Sequence, residues 1–290
     1  MKPTSYIFLV LSAILLFGGI VTCSLAQSMA DSENTQIFEQ SIDENGDSVY
    51  VYNLTDEKLS KLELKFSNVD VKIIGSAEAS YVELKNFSPY SYSTSLAGST
   101  VSVDGTVSGI SSFIDLSGGG LKFKGLRYLF ADKPASDRQK SVNIYISDAC
   151  DIKSLSLNIQ KGSVTFENIA NSVDYNVNAK NAEVKFNNVS TKSVINLNIS
   201  SGKVDVENTE CVSLNVDITD AELNVNMSNI SAECIYYEVK STESAVSLNG
   251  IADEDGEFKI AVSPDIQKCM VKIEATNSKI ELVDTVIKTA

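Results

Sequence analysis

The second half of the chain repeats a pattern of alternating apolar and polar residues with a period of about 20 residues. Four segments align column by column: Leu155–Ile169, Tyr175–Val189, Ile195–Thr209 and Leu214–Ser228. In each segment apolar residues occupy alternate positions, a short polar turn follows, and a second alternating stretch comes after it. Alternation of this kind indicates strands with one buried face. A constant period predicts that each segment is one unit of a stack.

The same unit recurs outside this block. Leu62–Ile74 matches the first segment at a constant offset of 93 positions, and Val271–Leu282 is a later copy around a polar turn. Tyr236–Gly250 fits another coil with a longer turn. We therefore predict an all-β fold, a β-solenoid or single-stranded β-helix-like stack of two-strand coils of about 20 residues each. A β-sandwich is the alternative.

The outward positions of the predicted coils differ between the two strands. The first-strand face is neutral and rich in amides, whereas the second-strand face carries charges such as Glu183 and Lys203. Stacked Asn side chains can hydrogen-bond along the coil axis, or they can simply end and solubilise the strands. A neutral amide face is a candidate contact surface for a glycan or another chain, and its candidate residues are Asn176, Asn178, Asn196 and Asn198.

A stretch at about 87–140 interrupts the period. It is rich in aromatic residues, and its later part holds a basic cluster that includes Lys122, Lys124 and Arg127. One interpretation is a long hairpin or cap that closes the first end of the stack. The other is a contact surface for an anionic component of the cell envelope.

The N-terminal residues predict export. Tyr6–Val21 is almost entirely apolar and follows Lys2, which is typical of a membrane-insertion segment. It is a signal peptide cleaved after Ala26, an uncleaved anchor, or a lipoprotein signal ending at Cys23. The predicted organisation is a signal peptide or membrane anchor at 1–27, an acidic spacer at 28–57 with a first strand at Ser48–Asn53, and a β-solenoid domain at 58–290.

Composition removes several functions from consideration. The chain of 290 residues has no His, so the commonest general base and metal ligand is missing. A net charge of −14 disfavours nucleic acid as a partner. We predict no cofactor and no metal site, and we interpret the Asp-Gly and Asn-Gly segments as turns. Cys150, Cys211, Cys234 and Cys269 are small buried residues or form one or two disulfides.

These features together resemble a known family. The segments that carry the resemblance are LELKFSNVDVKIIG at Leu62–Gly75, KPASDRQKSVNIYIS at Lys133–Ser147, and the units SLNIQKGSVTFENI, NVNAKNAEVKFNNV and LNISSGKVDVENT. They resemble the bacterial DUF4097 family of adhesin-like proteins over roughly Lys58–Val286. The resemblance implies a β-solenoid-like fold and a location in the cell envelope, and it supplies no catalytic residue.

The sequence therefore predicts a non-enzymatic extracytoplasmic surface protein, either anchored in the cell membrane or secreted. It would act as an adhesin or envelope-contact domain, with a cell-wall polymer, a glycan or another envelope protein as its partner. The alternative is an envelope sensing or regulatory domain that binds another membrane protein. A carbohydrate-active enzyme would require Lys203, Asp205 and Asp217 to gather in one cleft.

Overall fold

The structure is a computed structural model, and it describes residues 39–44, 46–54, 59–76, 78–87, 92–106, 114–115, 122–123, 139–148, 150–227, 235–249, 251–253, 257–261 and 269–283. Twenty β-strands occur in these residues, and no helix among them is long and apolar enough to cross a membrane. The apolar segment Tyr6–Val21 lies outside the described residues, and so do Cys23 and Ala26, where the signal is predicted to end.

The strand bounds are as follows: β1 Glu39–Ile42, β2 Ser48–Asn53, β3 Lys61–Ser76, β4 Tyr81–Lys85, β5 Ser93–Ala97, β6 Thr100–Gly105, β7 Ile114–Asp115, β8 Lys122–Phe123, β9 Ser141–Ser147, β10 Ser154–Ile169, β11 Asp174–Ser190, β12 Val194–Glu210, β13 Ser213–Thr219, β14 Glu222–Asn226, β15 Ile235–Thr242, β16 Ala245–Leu248, β17 Ile251–Asp253, β18 Glu257–Ala261, β19 Cys269–Thr276 and β20 Lys279–Val283. All but β7 and β8 join one sheet.

The regular part of the molecule consists of four long strands that run parallel in register. Strand β3 pairs with β10, β10 with β11, and β11 with β12. Leu155 lies opposite Leu62 on one side and opposite Tyr175 on the other. The offset of 93 positions in the sequence is thus the pairing register between β3 and β10, and the predicted stack of coils is confirmed.

Each coil bends at one residue in the left-handed region, which divides it into a first and a second half-strand. The bend residues have φ between 48° and 64°, and they are Asn68, Lys161, Asn181, Ser201, Asp220, Glu243 and Asn277. The residue after the bend lies close to the neighbouring coil. A Cβ atom on Gly162 would lie 2.1 Å from the carbonyl oxygen of Val69, so this position requires glycine.

The apolar columns predicted from the sequence form the interior. Leu62, Leu155, Tyr175, Ile195 and Leu214 lie in one column and are fully buried. In a second-strand column the rings of Phe166 and Phe186 stack with centroids 4.3 Å apart. Each such buried side chain contributes roughly 1.5–3 kcal/mol, so the repeated columns are the main source of the fold's stability.

The order of the coils in the stack differs from their order in the chain. The coil β13–β14 pairs with β19–β20, which in turn pairs with β15–β16. The last coil in the sequence is therefore inserted between two earlier ones. The predicted coil at Tyr236–Gly250 is present, but its turn is not longer, since only Glu243 and Ser244 separate β15 from β16.

Strands β6 and β9, which run parallel to β3, cover the first end of the stack, and antiparallel strands continue from them. Strand β6 pairs with the first half of β3, and β5 pairs with β6 to form a hairpin. Strands β9, β4, β2 and β1 extend from the second half of β3. The interrupting stretch thus begins with a hairpin at the end of the stack, as one interpretation predicts. The folded part also includes β1 and the expected strand β2, within the stretch 28–57 predicted to be a spacer.

Candidate functional site

The outward positions of the first half-strands form a surface of stacked amides, which we call the amide face. It consists of two rows that run along the stack, perpendicular to the strands. One row contains Asn176, Asn196 and Asn215, and the other contains Asn158, Asn178 and Asn198. Parallel pairing in register places each residue of a row one strand spacing, ~4.8 Å, from the next.

The row Asn176–Asn196–Asn215 is an amide ladder. The Nδ2 of Asn196 donates to the Oδ1 of Asn176, and the Nδ2 of Asn215 donates to the Oδ1 of Asn196, both at 2.8 Å. All three side chains are half-buried. Because each amide fixes the orientation of its neighbour, this row is a rigid support for the residues beside it.

The row Asn158–Asn178–Asn198 has the opposite character. Its three side chains are exposed, and they make no hydrogen bond or ion pair within the described part of the chain. A primary amide offers two donors and an acceptor with two lone pairs. Three neighbouring amides therefore present an unsatisfied row of donors and acceptors to the solvent.

Two shallow depressions lie along the rows, and together we call them the groove. One depression of about 380 Å³ is lined by the ladder together with Asn178, Asn198, Asp217, Lys272 and Glu274. A second, of about 280 Å³, is lined by Asn158, Asn178 and Asn198 and by residues towards the first end of the stack. The shared Asn178 and Asn198 join the two depressions. The sequence predicts the amides but not the groove, because the shape of the surface between the rows depends on how successive coils stack.

Charged side chains mark the two ends of the groove. At the first end the Nζ of Lys65 lies 3.4 Å from a carboxylate oxygen of Asp104. At the other end Lys272 and Glu274 follow Asn215 and Asp217 in their columns. Between these ends the described lining residues are mainly amides, and Lys180 is the one charged side chain beside the exposed row.

The outward positions of the second half-strands form a different surface, the charged face. Each of its cations is close to an acid: Lys185 lies 3.0 Å from Glu183, Lys203 lies 3.0 Å from Asp205, and Lys279 lies 3.4 Å from Glu222. These exposed pairs neutralise one another locally and each contributes little to stability. This face offers a ligand no concentrated charge of either sign.

Asp205 is an acid of the charged face that a neighbouring coil holds in place. Its Oδ1 accepts a 2.7 Å hydrogen bond from the Nδ2 of Asn224 in the next coil. Burial acts to raise the pKa of the Asp205 carboxyl, but the hydrogen bonds from Asn224 and Lys203 outweigh burial and hold that pKa below its usual value. The carboxylate form therefore stabilises the contact between β12 and β14.

A third Asn column has a structural role. Asn168, Asn188 and Asn208 have φ of 52°, 57° and 48°, a conformation that Asn tolerates better than most residues. Asn188 also donates a 2.8 Å hydrogen bond to Asn168. Both interpretations of the Asn columns therefore apply in part, since these residues make the bend that ends each second half-strand and two of them also form a ladder contact.

The three residues considered for a carbohydrate-active site do not come together. Lys203 and Asp205 lie on the charged face, whereas Asp217 lines the groove of the amide face, so the three do not share a cleft. Lys122 lies in β8, and Lys124 and Arg127 lie outside the described residues. Among the described residues no group of three His, Cys, Asp or Glu side chains is placed to hold a metal ion.

The predicted turn at residues 43–47 joins β1 to β2. The backbone nitrogen of Gly46 donates to the carbonyl oxygen of Asp43, and that of Asp47 donates to the Asp43 carboxylate. The Asp43 side chain is thus occupied by its own turn and by Lys85, 3.7 Å away. This confirms the interpretation of the segment as a turn.

Comparison with known proteins identifies relatives by sequence pattern and by fold. The family described as Toastrack DUF4097 matches residues 59–284, and no curated protein matches the chain. Similar solved structures include a "putative cell adhesion protein" from Clostridium sporogenes, at 12% identity and a TM-score of 0.48, covering 85% of this chain and 100% of that one.

Two further similar structures come from other bacteria. A "putative adhesin" from Bacteroides fragilis is 9% identical, with a TM-score of 0.35, and the match covers 82% of this chain and 96% of that one. A "putative adhesin" from Parabacteroides merdae is 9% identical, with a TM-score of 0.32 and coverage of 83% and 98%. At these values the likeness carries no information about the ligand of this chain.

Proposed function

The chain belongs to the Toastrack DUF4097 family, and we propose that it is a non-enzymatic surface protein whose amide face binds a neutral, hydroxyl-rich polymer, namely a glycan of the cell envelope or of another cell. The observation that carries the proposal is the row Asn158–Asn178–Asn198, exposed and without hydrogen bonds in the described residues, inside a groove. The family and the N-terminal apolar segment support a position at the outer surface of the cell.

The chemistry of an amide matches that of a sugar hydroxyl. A hydroxyl donates one hydrogen bond and accepts others, and a primary amide can satisfy both roles at once. A highly charged ligand would meet only one charged side chain, Lys180, among the amides of the centre, and an apolar ligand would leave the amides unsatisfied at a cost. The groove therefore favours a polar, uncharged ligand.

The repeat of the coils favours a polymer over a single small molecule. Equivalent amides recur every ~4.8 Å along the stack, so a linear chain of similar units can repeat the same contact on successive coils. The groove continues past several coils, from Asn158 near one end to Asp217 near the other. We expect each unit to bind weakly and the polymer to bind through many such contacts.

Hydrogen bonds rather than ring stacking would hold the ligand. Among the described lining residues the single aromatic is Phe66, which is fully buried in the interior. The ladder beside the exposed row keeps the groove in one conformation before the ligand arrives, which lowers the entropic cost of binding. An uncleaved signal segment and the acidic residues that precede β1 would hold the groove away from the membrane.

The proposal is tested with the full chain and purified polymers. Wild type would be applied to immobilised cell-wall polysaccharides and to an array of host-type glycans, and the double variant Asn178→Ala/Asn198→Ala would be compared with it. We expect wild type to bind at least one neutral glycan and the double variant to lose at least tenfold in affinity, which corresponds to about 1.4 kcal/mol.

A matched control comes from the other half of the same two coils. Asn187 and Glu207 are paired across β11 and β12 and are exposed outside the groove. Asn187→Ala/Glu207→Ala should bind as wild type does. Absence of binding to any neutral glycan, or an equal loss in both double variants, would contradict the proposal.

A further inference from the structure

Two cysteines that are far apart in the sequence meet in the interior of the stack. Cys211 lies just before β13, and Cys269 is the first residue of β19, 58 positions later. Their Sγ atoms are 3.6 Å apart, and each residue is only 1% exposed. Cys150 is half-buried and is not part of this contact.

We propose that Cys211 and Cys269 form a disulfide that fastens the inserted coil β19–β20 to the coil β13–β14. A disulfide requires the sulfur atoms to approach to ~2.05 Å, a movement of about 1.5 Å. Small rotations of the two side chains supply a movement of this size. This inference is independent of the ligand of the amide face.

The backbone around the pair is already fixed by hydrogen bonds. The nitrogen of Met270 donates to the carbonyl oxygen of Val212 at 3.1 Å, and the nitrogen of Val212 donates to that of Ser193 at 3.0 Å. Ser213 and Met270 continue the pairing into β13 and β19. The two thiols are therefore held as neighbours by the sheet itself, and they do not depend on a mobile loop to meet.

The location of the pair explains what a bond would do. Coil β15–β16 precedes β19–β20 in the chain and is therefore synthesised first. It has the same apolar columns, so it could also pair with β13–β14. The apolar pattern alone does not decide which of the two stacks against β13–β14. A covalent bond from Cys211 to Cys269 would hold the observed order and exclude the sequential one.

The bond would form by thiol–disulfide exchange with an oxidised dithiol oxidoreductase or another small disulfide. One cysteine thiolate attacks the disulfide and releases one thiolate of the oxidant. The second cysteine then attacks the mixed disulfide, which forms the Cys211–Cys269 bond and releases the second thiol. Two electrons and two protons leave the protein, and the oxidant is reduced to a dithiol.

Burial of the pair determines at which stage of folding the disulfide can form. Both residues are almost completely buried, so an oxidant in solution does not reach them once the stack has closed. The bond therefore forms as β19–β20 docks onto β13–β14, when the two thiols are already neighbours but are still accessible to the oxidant. Once the stack has closed, the bond is shielded from reductants in solution.

The test determines which cysteines of the full chain are free and which are bonded. The chain is expressed once with export to an oxidising compartment and once in a reducing cytoplasm. The exported protein is unfolded in denaturant, its free thiols are alkylated, and its peptides are analysed by mass spectrometry without reduction. We expect a cross-linked peptide pair containing Cys211 and Cys269, with Cys150 alkylated. In the native state the bond should resist a reductant that cleaves it after unfolding.

Stability supplies a second measurement. The oxidised protein should melt about 5–10 °C above the reduced protein, and Cys211→Ala/Cys269→Ala should abolish this difference. Cys150→Ala, the matched control, should preserve it. Recovery of Cys211 and Cys269 as free thiols in exported, folded protein would overturn the proposal, as would a bond from either residue to Cys234, Cys150 or Cys23.

Discussion

The amide face and the charged face belong to the same coils and share one interior, yet they differ in how their polar groups are satisfied. On the charged face each cation of the described strands has an acid within 3.9 Å, as in the pair Lys203 and Asp205. On the amide face one row is satisfied by its own ladder, and the exposed row around Asn178 is not satisfied within the described residues. The exposed row of the amide face therefore leaves three adjacent amides available to a ligand.

The difference arises because the apolar columns fix the backbone and leave the outward positions free. Val204 is fully buried, while its neighbours Lys203 and Asp205 face outwards. Any outward residue that suits a strand is compatible with the same interior. The repeat therefore supplies a scaffold, and the specificity resides in which polar groups the outward columns carry.

The largest effect is expected from a charge in the shared interior. Val204 is fully buried between Val184 and Leu223 in its column, so Val204→Asp would place an unpaired carboxylate in an apolar site. We expect a loss of about 5 kcal/mol or more and an unfolded stack. Thermal melting by circular dichroism would measure it, with the exposed Asn198→Asp as control. Cooperative melting near the wild-type temperature would contradict the column assignment.

A smaller effect is expected at the bend that separates the two faces. Gly162 has φ of 119°, and a Cβ there would meet the Val69 carbonyl oxygen. Gly162→Ala should therefore destabilise the chain by roughly 2–3 kcal/mol. Ala182→Gly, in the same column of the next coil, should cost only about 0.5–1 kcal/mol. Denaturant melts of both variants would measure the difference, and equal losses would show that the bend is not tight.

The two amide rows should respond differently to the same substitution. Asn196→Leu removes a residue that donates to Asn176 and accepts from Asn215, and it should cost about 1 kcal/mol. Asn198→Leu removes no hydrogen bond within the described chain and should change stability by less than about 0.5 kcal/mol. Denaturant melts of the two variants compare them directly. An equal loss of stability in both variants would show that the ladder hydrogen bonds of Asn196 do not stabilise the fold.

The smallest effect is a pH dependence on the charged face. The pKa of Asp205 is lowered in the folded state, so its carboxylate stabilises the fold above the unfolded pKa, near 4, and this contribution is lost as pH falls through the lower folded value. Asp205→Asn should therefore melt closer to wild type at pH 3 than at pH 7. A difference between the two proteins that stays constant from pH 7 to pH 3 would contradict this linkage.

The sequence predicts the coils well because their information is periodic. The register of Leu62 with Leu155 and the bend at Lys161 follow from aligning like residues, without knowledge of distant contacts. The position of coil β19–β20 does not follow, since Val271 and Tyr237 belong to the same type of column and either could face Leu214. Packing of the whole stack decides between them.

The candidate site was predicted only in part for a similar reason. Asn196 and Asn198 are identical residues two positions apart, and the sequence treats them alike. In the structure one lies half-buried in the ladder and the other lies exposed. Their different roles depend on the separation of neighbouring side chains in the stack, which a single sequence does not contain. The contact between Cys211 and Cys269 depends likewise on the inserted coil.

The most direct test of the amide face as a binding surface is a titration of the full chain, labelled with ¹⁵N, that follows the side-chain amide signals of Asn. The titrant is a soluble fragment of the glycan that the binding screen identifies. We predict that the side-chain amide signals of Asn158, Asn178 and Asn198 shift with the concentration of the titrant, and that those of Asn168, Asn187 and Asn188 stay unchanged. Shifts confined to the latter three, or binding with no change in the exposed row, would contradict it.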